Sequence, residues 1–322
     1  MTNHKIQPHF DGKRFAYPDN SQKGSRWDVL RWAITRKPAK WPRKLPNPEP
    51  DPIHQSVGDK QLRITFINHA TVLIQSDELN IITDPVFSKR VSPVSFAGPR
   101  RHRNPGLNID QLPPIHAVLI SHTHYDHMDL PSIDAISRRD QPVIVAPLNN
   151  GVIIEKATDQ KAVELTWWSQ HAVNEQTQVH LVPARHWTSR KPGDENQALW
   201  GGFVICFPSG NVFFAGDTGY GDGSHFTQAS ETFGTFRCAL LPIGGYEPRW
   251  FMQSQHMNPD EAVLAFKKLK ANYALGIHHG TFQLTDEAHD APLLELQQAL
   301  KEHAIDPDIF RTLDNGGAWN IP

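Results

Sequence analysis

Residues 121–129 read Ser-His-Thr-His-Tyr-Asp-His-Met-Asp, SHTHYDHMD, and follow the apolar run AVLI at 117–120. A polar turn placed so leaves the end of a buried strand. His122 and His124 stand two apart and point the same way while the chain stays extended. Asp126 and His127 come a turn later. Three histidines and one aspartate within residues 122–127 match the ligand chemistry of zinc, which takes nitrogen at about 2.0–2.1 Å and oxygen at about 2.0–2.2 Å. So many ligands are more than one open catalytic cation needs. The spacing suits His122 and His124 on one metal and Asp126 and His127 on a second. Two metals about 3.5–4 Å apart can clamp both oxygens of a displacement. The bland alternative, a capping aspartate with incidental histidines, accounts for little of this composition.

Outward from this stretch, short apolar runs keep ending in polar turns. LRITFI, TVLIQ and LNIITDP read as a strand meander, and PVIVAP, VHLVPA, GGFVICF, NVFFAGD and ALLPIGG read as further strands. Helices are expected at 259–270, with Asn258 as cap, and at 293–302. Strands interleaved with helices over one long region indicate a layered α/β fold. PARHWTSR (183–190), AGDTGYGD (215–222) and GIHHGTF (276–282) repeat the pattern of 121–129, a His- or Asp-bearing turn at a strand end. Sites in α/β sheets gather at such ends.

The bulk composition narrows the class. The chain has 322 residues, 39% of them hydrophobic, which allows a sizeable core. A formal net charge of −2 makes no global electrostatic case for nucleic acid. Cys206 and Cys238 lie in apolar runs and read as buried thiols, fitting a reducing, cytoplasmic setting. No apolar stretch reaches membrane-span length and the start has no apolar signal region.

Residues 1–60 differ from 61–322, and the chain divides there into an N-terminal arm and a catalytic domain. The arm is rich in Pro, Trp, Lys and Arg. A short helix is expected, with Ser25 as cap, Asp28 reaching back, and Trp27, Leu30 and Ile34 on one face. The prolines of residues 36–52 then favour an extended path. Trp27, Trp32 and Trp41, with Arg26, Arg31, Arg36, Lys37, Lys40, Arg43 and Lys44, suit either a membrane interface or packing onto the catalytic domain.

The H-x-H-x-D-H pattern resembles the signature of the metallo-β-lactamase superfamily. The resemblance implies an αβ/βα four-layer sandwich, two mixed sheets flanked by helices. It also implies a third histidine, a bridging aspartate and a late histidine, which here match His186, Asp217 and His278. On that basis His122, His124 and His186 hold one zinc, Asp126, His127 and His278 the other, and Asp217 bridges. Of adjacent His278 and His279, one can point inward from a strand; the family pattern favours His278. Asp84 and His69 are the expected orienting residues behind the ligands, although Asn68 stands where the family usually has Gly.

NHATVLI, LNIITDPVFSKRVSPVSFAGPRRHR, LWGGF and PIGGYEPRWFMQSQHMNPDEAV further resemble the N-acyl-phosphatidylethanolamine-hydrolysing phospholipase D group, over roughly residues 62–285. That likeness implies phosphodiester hydrolysis to phosphatidic acid and an N-acylethanolamine. The implied cofactors are two Zn2+ ions, though Mn, Fe or Ni suit the same donors. Asp126 and His256 are the candidate catalytic residues, His256 binding phosphate or protonating the leaving group. Tyr246, Arg249, Trp250 and His256 would face the substrate. Arg100, Arg101 and Arg103 could meet a head group or be a solvated loop. Expected partners are a phospholipid-like or small phosphodiester substrate, a membrane met peripherally through residues 1–50, and a second copy in a homodimer. A lactonase of the same fold is the alternative, disfavoured by the segment 246–256.

Overall fold

The computed structural model describes residues 5–19 and 26–322. The expected cap Ser25 lies outside the described residues. A small hairpin, β1 (His9–Phe10) and β2 (Phe15–Ala16), precedes α1 (Arg26–Thr35). The first half of the core runs β3 (Leu62–Asn68), β4 (Thr71–Ser76), β5 (Leu79–Thr83), β6 (Ala117–Leu119), α2 (Leu130–Asp140), β7 (Val143–Pro147), α3 (Gly151–Thr158) and β8 (Val163–Leu165). The second half opens with β9 (Gln170–Ala172), β10 (Gln178–Val182), β11 (Gly202–Phe207), β12 (Gly210–Phe214) and α4 (Ser224–Phe233). It continues with β13 (Phe236–Pro242), α5 (Arg249–Met252), α6 (Pro259–Leu269), β14 (Ala271–Ile277), α7 (Ala291–Glu302) and β15 (Phe310–Arg311), before β16 (Ala318–Ile321) returns to pair with β3.

Two seven-stranded sheets result, ordered β16-β3-β4-β5-β6-β7-β8 and β15-β14-β13-β12-β11-β10-β9. Each is mixed: β16 through β5 and β9 through β12 pair antiparallel, and the remainder of each sheet is parallel. Alternation builds the layers, because successive side chains of a strand face opposite ways. In β3 and β4, Ile64, Phe66, Val72 and Ile74 join Phe203, Ile205, Phe214 and Leu240 in the core between the sheets. Ile67 and Leu73 face outward onto Ile133 and Ile136 of α2 and Ile154 of α3. On the outer face of the other sheet, Val204, Phe213 and Ala239 pack on α4, α6 and α7 through Phe226, Phe266 and Leu296. This is the expected α/β four-layer sandwich with both sheets buried on both faces. Helix α6 carries the capping box its sequence promised, Asn258 accepting from Glu261 N at 2.9 Å and Glu261 accepting from Asn258 N at 3.1 Å.

The arm is strapped to this core. Ala39 N donates to Asp286 O at 2.9 Å, Trp41 Nε1 to Glu287 O at 2.9 Å, and Leu45 N to His102 O at 2.7 Å. Trp32 stacks on Phe251 at 5.3 Å. The face shared by Trp27, Leu30 and Ile34 turns away from the protein: Trp27 is 77% exposed and Ile34 75%.

Candidate metal centre

The elements deliver their polar turns to one edge of the two sheets. Asp84 follows β5, His122 to His127 follow β6, His186 follows β10, Asp217 follows β12 and His278 follows β14. His69 sits in the β3–β4 turn. Three of these residues, His69, Asp84 and His278, hold positive φ of 48°, 34° and 62°. Such a conformation costs a non-glycine residue about 1–3 kcal/mol and persists where surrounding contacts over-determine it. Those contacts are present: His278 N donates to His69 O at 2.7 Å, His69 N to Thr281 Oγ1 at 3.1 Å and Asp84 N to Leu119 O at 2.9 Å.

The side chains named from the sequence meet in two groups. In the first, His122 Nε2 and His186 Nε2 approach His124 Nδ1 at 2.9 and 3.1 Å. In the second, Asp126 Oδ2 stands 3.5 Å from His127 Nε2 and 3.6 Å from His278 Nε2. Asp217 reaches both. Its Oδ2 lies 3.1 Å from His127 Nε2, 3.7 Å from His186 Nε2 and 3.9 Å from His122 Nε2, while Oδ1 lies 3.3 Å from His278 Nε2.

The outward-facing nitrogens of His122, His127, His186 and His278 are occupied, and this directs the inward ones. His127 Nδ1 bonds Asp84 Oδ2 at 2.6 Å. His122 Nδ1 bonds Ser121 Oγ at 2.8 Å, and that hydroxyl donates to Asp84 Oδ2 at 2.6 Å. His186 Nδ1 donates to Gln255 O at 3.1 Å and His278 Nδ1 to Gly244 O at 3.2 Å. A ring nitrogen that donates outward leaves the other as a lone pair pointing in. Inside, the buried atoms His127 Nε2, His278 Nε2 and Asp217 Oδ1 lack hydrogen-bond partners. Buried polar atoms without partners are costly, and divalent cations are what imidazole lone pairs and carboxylates of this kind bind. The donor set therefore fits metal. Asp84 orients one histidine of each group, and His69 Nε2 reaches Asp126 Oδ2 at 3.1 Å.

Charge separates the groups. Burial holds His122 and His186 well below the ordinary imidazole value and His124 at about 4. Burial also opposes charge on His127 and His278. There the surrounding carboxylates, Asp217 first, prevail: His127 lies well above the ordinary value and His278 is raised to about 9. For Asp126 and Asp217, burial works upward but His127 beside them holds both well below the usual carboxylate range.

His256 borders the first group. Its Nδ1 is 4.0 Å from Asp217 Oδ2, and burial lowers it to about 4, so it is a neutral imidazole at neutral pH. The rest of its segment departs from expectation. Tyr246 is 1% exposed, and burial, then Glu295, push its phenol above the ordinary range; it supports the loop from beneath and offers no substrate surface. Arg249 is occupied, donating to Glu261 Oε2 at 2.7 Å and His256 O at 3.0 Å. Trp250, 47% exposed, does face out, with Arg31 over its ring at 4.6 Å. The arginine cluster is largely committed as well: Arg101 donates to Ser88 O and Val86 O, and Arg103 to Asp314. His279 is buried against Phe66. Ser121, Gly244 and Gln255 escaped the sequence reading. Ser121 alone had a signal, its place beside His122; the other two act through carbonyls that every residue has.

Comparison with known proteins gives the class. The Beta-lactamase superfamily domain model matches residues 79–279. Igni18, a metallo hydrolase from Ignicoccus hospitalis, shares the fold at TM-score 0.60 and 19% identity, over 81% of this chain and 99% of that one. N-acyl-phosphatidylethanolamine-hydrolyzing phospholipase D 1 of Caenorhabditis elegans is 35% identical over 83% of this chain and 80% of its own length. The mitochondrial enzyme of that name from Saccharomyces cerevisiae is 30% identical over 82% of this chain and 58% of its own length. Fold and site together define a metal-dependent hydrolase. The chain belongs to the metallo-β-lactamase superfamily, in the branch that resembles the N-acyl-phosphatidylethanolamine-hydrolysing phospholipases D.

Proposed function

We propose that this chain is a dinuclear zinc phosphodiesterase of phospholipase D type, cleaving N-acyl-phosphatidylethanolamine-like lipids to phosphatidic acid and an N-acylethanolamine. The observation that carries the dinuclear reading is Asp217, whose two oxygens face both ligand groups. The likeness to the Caenorhabditis elegans phospholipase supports the substrate class. In this reading His122, His124 and His186 would hold one cation and Asp126, His127 and His278 the other, with Asp217 serving both. A bound cation pair supplies Lewis acidity and a hydrolytic water acidified toward neutrality.

The chain's own residues supply position and polarity. Asp84, Ser121, Gln255 O and Gly244 O hold the imidazoles in one orientation, so little reorganisation accompanies reaction. His69 steadies Asp126 beside the reacting centre. His256, neutral and next to Asp217, offers an N–H to a phosphoryl oxygen or to the departing alkoxide. Water would attack phosphorus, the bond from phosphorus to the ethanolamine oxygen would break, and the proton given up by the water would balance the one taken up by that oxygen.

The outward face of α1 supports lipid access. Trp27, Leu30, Ile34 and Trp250 form an exposed apolar rim beside Arg31 and Lys37, a combination suited to an anionic interface. Among the described residues no helix is long and apolar enough to cross a membrane, so contact would be peripheral. Co-sedimentation with anionic vesicles at low salt checks this.

The deciding experiment couples metal analysis with turnover. Wild-type protein should hold two zinc ions per chain and hydrolyse N-acylated phosphatidylethanolamine. Asp217→Asn should lose more than the roughly 10–100-fold associated with residues one step behind the metal. Hydrolysis of a sugar lactone with no action on a bis-phosphodiester would overturn the substrate class in favour of a lactonase.

A further inference from the structure

Among the five candidate imidazole ligands, His124 is held differently. The outer nitrogen of each of the others has a hydrogen-bond partner. The outer nitrogen of His124, Nε2, is buried with none. Its ring meets the edge of Trp187 at 4.7 Å, which limits tilt but fixes no tautomer. The orientation of His124 must therefore come from its backbone.

That backbone is gripped by Arg190. Arg190 Nη1 donates to Thr123 O at 2.7 Å and to Met128 O at 2.8 Å, closing both ends of the turn that carries His124, Asp126 and His127. The guanidinium lies 4.0 Å from the centre of the Tyr125 ring, and the Tyr125 hydroxyl donates back to Arg190 O at 2.9 Å. Arg190 is itself anchored. Asp194 accepts from Arg190 N at 3.1 Å, from Lys191 N at 3.1 Å and from Ser189 Oγ at 2.8 Å. The same segment carries His186 four residues earlier. One side chain thus ties the 122–128 turn to the strand end that supplies the third imidazole.

No ion pair joins Arg190 to a carboxylate among the described residues; its donors go to carbonyls and its face to an aromatic ring. A positive charge beside a cation site opposes cation binding through space, so its placement there needs a compensating geometric gain. Both bonds come from Nη1, whose two N–H groups are fixed in the guanidinium plane while the face of that plane lies on the Tyr125 ring, a combination the freely rotating ammonium of Lys lacks.

We infer that Arg190 is a positioning residue, which sets how His124 meets His122 and His186 and thereby the cation affinity of that group. The inference rests on the two-metal reading above. Charge and clamp predict opposite signs, which makes the test decisive. Zinc affinity is measured by competition with a chromophoric chelator for wild type, Arg190→Met, Arg190→Lys and Arg139→Met, with folding followed by circular dichroism. Arg139 also donates to loop carbonyls, those of Leu112 and Pro113, but on the far side of α2; its variant reports a merely structural loss. Arg190→Met is expected to weaken one of the two zinc sites by about 10–100-fold. Arg190→Lys, which keeps the charge and loses the planar group held between the carbonyls and the Tyr125 ring, should weaken the same site. Arg139→Met should leave both affinities unchanged. Wild-type or tighter binding in Arg190→Met overturns the inference, as does wild-type binding in Arg190→Lys should the methionine variant not fold. A wild-type chain that binds no zinc instead overturns the two-metal reading.

Discussion

His122, His124 and His186 form a neutral pocket, whereas Asp126, His127 and His278 form a charged one, although both lie against the same Asp217 carboxylate. In the first group burial prevails over the nearby Asp217, and each imidazole is ready to give a lone pair without losing a proton. In the second, the carboxylates around His127 and His278, Asp217 first, favour their protonated forms when no cation is bound. Those protons occupy electrostatically the place that a cation would take. The difference teaches that one fold edge can offer a cation two routes in: filling a preformed neutral set, or displacing protons from an ion-paired one.

Asp84 is the sharpest place to break the contrast, because it serves both groups. It accepts from His127 Nδ1 directly and reaches His122 through Ser121. Asp84→Asn should lower zinc affinity about 10–100-fold in both groups. Leaving His127 without its buried carboxylate should also cost about 3–5 kcal/mol of stability, read from denaturant melts. Loss confined to one group would show that Asp84 does not couple them.

The pH dependence should come next in size. His278 is raised to about 9 in the cation-free chain. A raised imidazole contributes stability that is complete below its unfolded value of about 6.5 and is lost as pH rises through the folded value. The cation-free protein should therefore lose thermal stability between about pH 7 and 9. Zinc affinity at the Asp126/His127/His278 group should rise over the same range, since binding there releases protons. The three-imidazole group should be nearly flat, its nitrogens being neutral already. Titration calorimetry in buffers of differing ionisation enthalpy measures the protons released; equal release at both groups would erase the distinction.

A smaller effect separates the groups from the other side. His69 touches Asp126 and no member of the three-imidazole group. His69→Asn should weaken the charged group about 10-fold and leave the other unchanged in the same chelator competition.

The parts of the site that were legible in sequence share one property, that the chemistry sits in the side chain. The turn at 121–129 could be read from its imidazoles and carboxylate alone, and the aspartate and histidines at three later strand ends, already noticeable as polar turns, are named through the resemblance to the metallo-β-lactamase superfamily. Gln255 O and Gly244 O could not be, since a carbonyl carries no residue identity. Tyr246 and Arg249 were misplaced for a related reason: a loop rich in aromatic and charged residues reads as a surface, yet Tyr246 is packed under it and Arg249 is spent on Glu261. A layered α/β fold followed from strand runs interleaved with helices and its four-layer form from the family resemblance, whereas the order of strands within each sheet depends on contacts between distant segments that no local pattern states.

Helix α1 supplies the smallest expected effect and the clearest division within one segment. Periodicity put Trp27, Leu30 and Ile34 on a common face, but periodicity says which residues share a face and not which way it turns. Trp32 and Trp41 took the packing role, stacking on Phe251 and bonding Glu287 O, and the Trp27 face was left to solvent. The packing reading thus holds for Trp32 and Trp41, and the membrane reading is left to the exposed Trp27 face as a proposal. Trp27→Ser with Ile34→Ser should change stability by no more than about 0.5 kcal/mol, as surface substitutions do, and should leave turnover of a water-soluble bis-phosphodiester intact. Binding to anionic vesicles and turnover of vesicle-borne lipid should fall together, because the removed area lies at the rim and touches no ligand of the metal centre. Trp32→Ser, by contrast, should cost stability through lost packing on Phe251. If the double variant still co-sediments with vesicles as wild type does, the exposed face of α1 has no part in meeting the lipid.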